Sequence, residues 1–436
     1  YLATCETEEE IREVAGSHGW SLEGVEVHFH DPREIFQNGP EQSVFHPSEL
    51  ELPQAMGAIM DRIDSVDPGR LVIDSLSEIR LLAPDGGRFR RRVLALKQDL
   101  ARRRCTTLFC DDQPDPGQPV HSIVHGVVSL EQVLQTFGSD RRQLRVVKLR
   151  GRNPLTGHHD FRIVTGGLRV FPRLKARGHH ASFPKEIVLS GVPELDALYG
   201  GGIDRGSAPL FFGPSGSGKS TVATQYAVAA AARGERTGLY VFDERVHTLQ
   251  ERAAGLGLDL KGAVDEGLVD MRQVDPTEFS PGEFSHLLRD SLEERNLDLV
   301  ILDSLAGYAH AMPDERFLIL HLRELLSFLN QQGVTTIMVM TQHGLPGSDG
   351  HVPFDLSYLA DSVLLFHSFE ALGELRKAIS VYKRRGGAHE GSLRELRMGS
   401  KGIRIGEPLR EFRGITTGTP DFIGEEPPRV GRAQGS

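Results

Sequence analysis

Residues Gly213, Pro214, Ser215, Gly216, Ser217, Gly218, Lys219 and Ser220 form the chemically most explicit run in the chain. Their order, GxxxxGK[ST], is that of a loop whose glycines let successive backbone amides turn inward around an anion. A short apolar stretch (208–212) precedes it, and an Ala-rich stretch from Thr221 to Ala232 follows. A strand before and a helix after would add the partial positive charge of the helix N-terminus at the same point. Lys219 has the reach for β- and γ-phosphates, and the Ser220 hydroxyl is a ligand that Mg²⁺ accepts. ATP and Mg²⁺ are therefore the expected cofactors, held by residues 213 to 221. A Gly/Ser-rich surface turn would share the composition but not the strand–loop–helix context.

Other residues could complete such a site. Asp303 ends the apolar run LVILD and is the natural acid to hold Mg²⁺, although a strand-end Asp can also cap the next turn. Asp243 and Glu244 follow the run GLYVF, where a carboxylate could orient and deprotonate an attacking water; a solvated acidic pair is the alternative. Gln342, with its twin Gln113, could sense the γ-phosphate or be a surface amide. Lys383 and Arg385 end the run AISVY, and strand alternation puts both on one face. Two cations on one edge suit insertion into a neighbouring subunit's site, against the alternative of a solvated basic strand end.

The elements that must position these residues occur twice. Glu6, Ala15, Gly19 and Leu22 match Glu244, Ala253, Gly257 and Leu260 at one offset. RLVIDSL around Asp74 matches DLVILDSL around Asp303, and Lys148 and Arg150 match Lys383 and Arg385. The first-copy counterparts of the site are thus Glu6, Asp74, Lys148 and Arg150, with Cys5 in place of Asp243. In each copy short β-branched runs alternate with longer helical patterns such as FLILHLRELLSFLNQQG, which implies parallel βαβ units of an α/β protein. Sheets of that kind bind ligands at the carboxyl ends of the strands, where the repeated acids lie. The expected organisation is a first domain over 1–172, a linker over 173–184, a second domain over 185–420 and a mobile tail over 421–436. The first copy starts beyond the point where its own glycine loop would stand, so about 50 to 60 residues carrying that loop are expected ahead of Tyr1, judged from the repeat period.

Composition narrows the partners. The 436 residues carry 39% hydrophobic and 25% charged residues, in the range of globular domains. No apolar run of about 18 residues is present, so no membrane partner is expected. A formal charge of −10 argues against nucleic acid as the main partner, because phosphate contacts need clustered cations. The three cysteines show no zinc spacing and no paired framework, which fits a reducing cytoplasm. His28 and His30 share a strand face but lack a third ligand, and the basic run at 88–92 reads as a solvated helix start. Only nine residues are Lys, so a Lys retained here marks a place wanting a compact point charge.

The run from Gly191 to Asp196, the glycines at 200–202, the P-loop, DSL after each strand-end acid, the K-x-R-G near each domain end and SYLADSVLLF (357–366) together resemble the KaiC family. The resemblance implies tandem RecA-like P-loop domains, a double-ring homohexamer with ATP between subunits, and Lys383 and Arg385 acting in trans. It further implies that the acid pair Asp243–Glu244 activates the nucleophile, with Asp where the family has Glu. Its phosphorylated serine falls on Ser357, while the neighbouring threonine position holds Tyr358, which leaves single-site self-phosphorylation in place of a two-site cycle. The C-terminal segment through which the clock protein binds a regulator has no clear counterpart. The chain thus reads as a KaiC-like ATPase in signalling or timing with a protein partner, rather than as a clock pacemaker. A recombinase or helicase ATPase and an ATP-assembled ring scaffold are the competing readings.

Overall fold

Runs such as GLYVF and LVILD carry apolar residues at consecutive positions, so a strand made from them must be covered on both faces. In a computed structural model they form strands Thr237–Val241 and Leu299–Asp303, buried at every position. The structure describes residues 1–29, 47–112, 119–134, 139–175, 186–310, 315–342, 356–371, 373–417 and 420–424. The chain divides into two units, one of Tyr1–Leu134 with Arg141–Pro172 and the other of Gln135–Asp140 with Arg173–Ser436.

Both faces of the second unit's sheet are packed by helices. Leu299 and Ile301 point into one core with Val222, Tyr226 and Ala230 of helix Lys219–Ala232. Val300 and Leu302 point into the other, with Phe284 and Leu288 of helix Pro281–Arg295 and Leu322 and Leu325 of helix Glu315–Gln331. Helix Lys219–Ala232 is largely buried, and its run of alanines combines high helix propensity with side chains small enough for close approach to the sheet.

Nine strands among the described residues make this sheet, in the order Val269–Gln273, Thr237–Val241, Leu299–Asp303, Thr335–Thr341, Pro209–Gly213, Ser362–Ala371, Glu374–Arg384, Arg394–Gly399 and Gly402–Pro408. Pairing is parallel as far as Ser362–Ala371 and antiparallel beyond it. The parallel and antiparallel parts therefore meet on Ser362–Ala371, beside which lies Pro209–Gly213, parallel to both its neighbours. The C-terminal residue of Pro209–Gly213 opens the glycine loop.

The first unit repeats the plan in two four-stranded sheets. One is parallel, in the order His28–Phe29, Leu2–Ala3, Arg70–Asp74, Thr106–Phe109. It reproduces the order of the first four strands of the second unit. The other is an antiparallel meander, Gly126–Val133, Arg141–Leu149, His158–Val164 and Gly167–Phe171. Among the described residues, no strand joins these sheets at the position that Pro209–Gly213 fills in the second unit. The fold is α/β, two RecA-like copies in tandem. No helix among the described residues is long and apolar enough to cross a membrane.

One group in the second sheet is held against its own preference. His367, in strand Ser362–Ala371, has a buried Nε2 with no hydrogen-bond partner among the described residues, and burial lowers its pKa. An imidazole that resists protonation when folded loses stability for the fold as pH falls through the unfolded value of about 6.5. In urea titrations, His367→Met should therefore gain stability relative to the parent as pH drops from about 7.5 to about 5.5. A difference that stays constant over that range would contradict this.

Candidate functional site

The glycine loop is shaped by what surrounds it. A Cβ on Gly213 would stand 2.3 Å from the Phe366 carbonyl oxygen, so only glycine allows the strand end to approach Ser362–Ala371 this closely. Gly218, the residue before helix Lys219–Ala232, has φ 106°, a left-handed conformation that disfavours other residues. Ser217 Oγ donates to the Pro214 carbonyl at 2.7 Å and closes the turn from inside. The first amides of the helix have no acceptor within it and face the loop.

Into this loop folds Lys219. Its Nζ donates to the carbonyls of Gly213 at 2.9 Å and Pro214 at 2.7 Å. The residue is 4% exposed, and burial pushes its pKa down to about 8, partly opposed by the charge of Asp303. An ammonium desolvated to that degree gains strongly from an anion brought beside it. Ser220 Oγ donates to Asp303 Oδ1 at 3.1 Å. Asp303 is pushed up to about 6 by burial; the Ser220 hydroxyl and the charge of Arg252 act the other way. A hydroxyl and a carboxylate side by side beneath an amide-lined loop are the hard oxygen donors that Mg²⁺ takes together with phosphate. The residues present fit that ion.

The acid pair divides. Asp243 Oδ2 accepts the Ser304 hydroxyl at 2.5 Å, and Gly307 packs so closely that a Cβ there would stand 2.4 Å from Asp243 Oδ1. Glu244 points elsewhere, its Oε1 accepting from Arg252 Nη1 at 2.9 Å, and its charge is felt at Asp303. Glu244 thus acts on Asp303 through its charge, while Asp243 bonds the serine that follows Asp303. Ser304 and Arg252 were not singled out in the sequence. Ser304 had a signal, the serine that follows the strand-end acid in both copies. Arg252 had none beyond lying on the helix after the acid pair.

The remaining sequence candidates fall in three places. Gln342 follows strand Thr335–Thr341 and donates its backbone amide to the Gly213 carbonyl at 2.9 Å, which puts it beside the loop. Lys383 Nζ donates to the carbonyls of Ser357 at 2.7 Å and Ala360 at 3.1 Å, and Arg385 Nη2 to that of Tyr358 at 2.5 Å. Both cations therefore rest on the turn that carries Ser357. In the first unit Lys148 Nζ donates to the His121 carbonyl at 2.6 Å and Arg150 Nη2 to that of Ser122 at 2.6 Å, the same device again. Asp74 accepts the Tyr1 hydroxyl at 2.5 Å, and Glu6 is exposed. Gln113 and His30 lie outside the described residues. Among the described residues no group of three or more His, Cys, Asp or Glu could hold a metal ion. The three thiols are unpaired, and burial with the charges of Asp74 and Glu6 pushes Cys110 up to about 11.

A parallel sheet with the glycine loop at the carboxyl end of one strand and an acid at the end of another defines a P-loop nucleotide-binding protein of the RecA-like class. The family model described as "ATPase: KaiC" matches residues 1–175 and 188–410, and the chain belongs to the KaiC ATPase family. The circadian clock oscillator protein KaiC of Acaryochloris marina is 26% identical over 390 residues, covering 86% of this chain and 72% of its own length. That of Thermostichus vulcanus is 26% identical over 440 residues, covering 96% and 81%. The circadian clock protein KaiC3 of Synechocystis is 25% identical over 429 residues, covering 95% and 83%.

Removing the Lys219 ammonium should separate binding from folding. Lys219→Ala should weaken MgATP binding by about a hundredfold or more in calorimetric titration, because a charge-assisted contact to phosphate is lost. The same variant, free of nucleotide, should unfold no earlier in urea than the parent, since a desolvated charge has been taken out of the core. Unchanged affinity would mean that the loop does not bind phosphate.

Proposed function

We propose that the chain is an ATPase that binds MgATP at the subunit interfaces of a homohexameric ring and hydrolyses it, acting in signalling or timing in the cytoplasm with a protein partner. The observation that carries this reading is the buried Lys219 ammonium beside the Ser220–Asp303 pair. In it, residues 213 to 221 wrap the phosphate tail with amide hydrogens, and Lys219 neutralises the β- and γ-phosphates. Ser220 and Asp303 would hold Mg²⁺, which would supply charge neutralisation for the phosphate tail. Glu244 takes the proton of the attacking water. Asp243, held by Ser304, shapes the turn that presents Glu244. Lys383 and Arg385 leave their carbonyl partners on the Ser357 turn and reach the phosphates of a neighbouring subunit. The ring, the trans-acting cations and the clock connection come from the family and the names of its members.

A second reading concerns Ser357, whose carbonyl holds Lys383. In it the Ser357 hydroxyl gives its proton to Glu244, its oxygen bonds to the γ-phosphorus, the bond from that phosphorus to the bridging oxygen breaks, and ADP leaves with the electron pair. Phosphosite mass spectrometry after incubation with MgATP decides this; an unmodified Ser357 leaves ATP hydrolysis alone.

Glu244→Gln should lower MgATP turnover by about a hundredfold or more while ATP affinity stays within about threefold, since the amide cannot take a proton. Single-stranded DNA should leave turnover of the parent unchanged. Strong stimulation by DNA would favour a recombinase or helicase, and full biological output from the Gln variant would favour a ring scaffold.

A further inference from the structure

We propose that Arg252 is a positioning residue for hydrolysis, holding Glu244 in the orientation from which its carboxylate meets the attacking water. This rests on the reading of Glu244 as the base.

Glu244 lies beyond the end of strand Thr237–Val241, so no strand pairing fixes it. The chain then enters helix Val246–Gly255, whose preceding residue Arg245 makes no side-chain cap. A base in such a turn needs a tether, and the helix provides one eight residues on. Arg252 Nη1 donates to Glu244 Oε1 at 2.9 Å, while Oε2 makes no hydrogen bond among the described residues. One carboxylate oxygen is thus anchored and the other is available for a proton.

Packing does not explain Arg252. The helix is seated by Leu249 and Ala253, which enter the core. An ion pair kept only for a solvated helix face contributes little to stability and leaves no donor stranded. Arg252 differs, because its Nη2 is buried without a hydrogen-bond partner among the described residues and its charge reaches Asp303. Natural structures rarely keep a buried donor unmet, and one on the partner of a candidate base calls for an explanation that helix packing does not give. The guanidinium thus places one N–H on the base, and its charge also acts on Asp303. In the step it supports, a water proton passes to Glu244 Oε2 and the water oxygen bonds to the γ-phosphorus. The bond from that phosphorus to the bridging oxygen breaks, and ADP carries the electron pair away.

A double-mutant cycle on the full chain tests this, with Arg252→Gln, Glu244→Gln and the pair. MgATP turnover is read together with binding of a fluorescent ATP analogue and far-UV circular dichroism. Arg252→Gln should lower kcat by about tenfold to a hundredfold, with KM and analogue affinity within about twofold, because a misaimed base costs rate rather than binding. Arg252→Lys, which keeps the charge but not the fork, should recover part of that rate and serves as the reporter if the Gln variant unfolds. On the Glu244→Gln background, Arg252→Gln should cost nothing further. Parental kcat in Arg252→Gln, a loss confined to KM, or a full additional loss in the double variant would each overturn the proposal. Inactive Glu244→Gln beside fully active Arg252→Gln removes only the role of Arg252. Parental turnover in Glu244→Gln removes the base itself, and Arg252 with it.

Discussion

A cation kept from water governs the architecture of the second unit. Lys219 holds its charge in a loop where its partners are two main-chain carbonyls, and burial weakens its hold on the proton. That arrangement is costly without an anion and favourable with one, which makes it a trap for phosphate rather than a stabilising contact. Every constraint around it follows. The strand before the loop must be central, because an edge strand would leave the loop free to relax. Glycine must stand at 213 and 218, because one position meets the Phe366 carbonyl and the other takes a left-handed backbone. The helix after the loop must be rich in alanine, because it lies buried against the sheet.

The same logic places the acids. Asp303 is the last residue of a strand buried along its length, so its carboxylate emerges into a low-dielectric pocket and is destabilised there. The Ser220 hydroxyl meets one of its oxygens. Cationic and anionic groups are thus both uncomfortable in the isolated chain, and each is eased by a ligand carrying the opposite charge. Two neighbouring perturbed groups of opposite sign are the mark of a site prepared for a charged guest rather than of a structural ion pair.

Much of the fold was legible in the chain because its signals are local. Unbroken apolar runs announce strands covered on both faces, and the spacing between them announces parallel crossovers. Duplicated DSL and K-x-R segments announce a tandem plan, and the two units do share strand order. What could not be read is contact across loops. Asp243 and Glu244 are adjacent and chemically alike, yet one turns to Ser304 and the other to Arg252. No spacing rule separates them, since the difference lies in the partner each carboxylate meets across the loops. Nor does alternation on a strand reveal that Lys383 and Arg385 rest on the carbonyls of the Ser357 turn. The repeat of that contact at Lys148 and Arg150 shows that it belongs to the domain plan rather than to one loop.

If the buried Lys219 loop is a phosphate trap, affinity must reside in the polyphosphate tail and not in the base or sugar. Calorimetric titration of the parent chain with ATP, ADP and AMP, each with Mg²⁺, measures this directly. ATP and ADP should bind, and AMP should bind about a hundredfold more weakly or not at all, because its single phosphate does not reach Lys219 and the loop amides together. AMP binding as tightly as ATP would contradict the account.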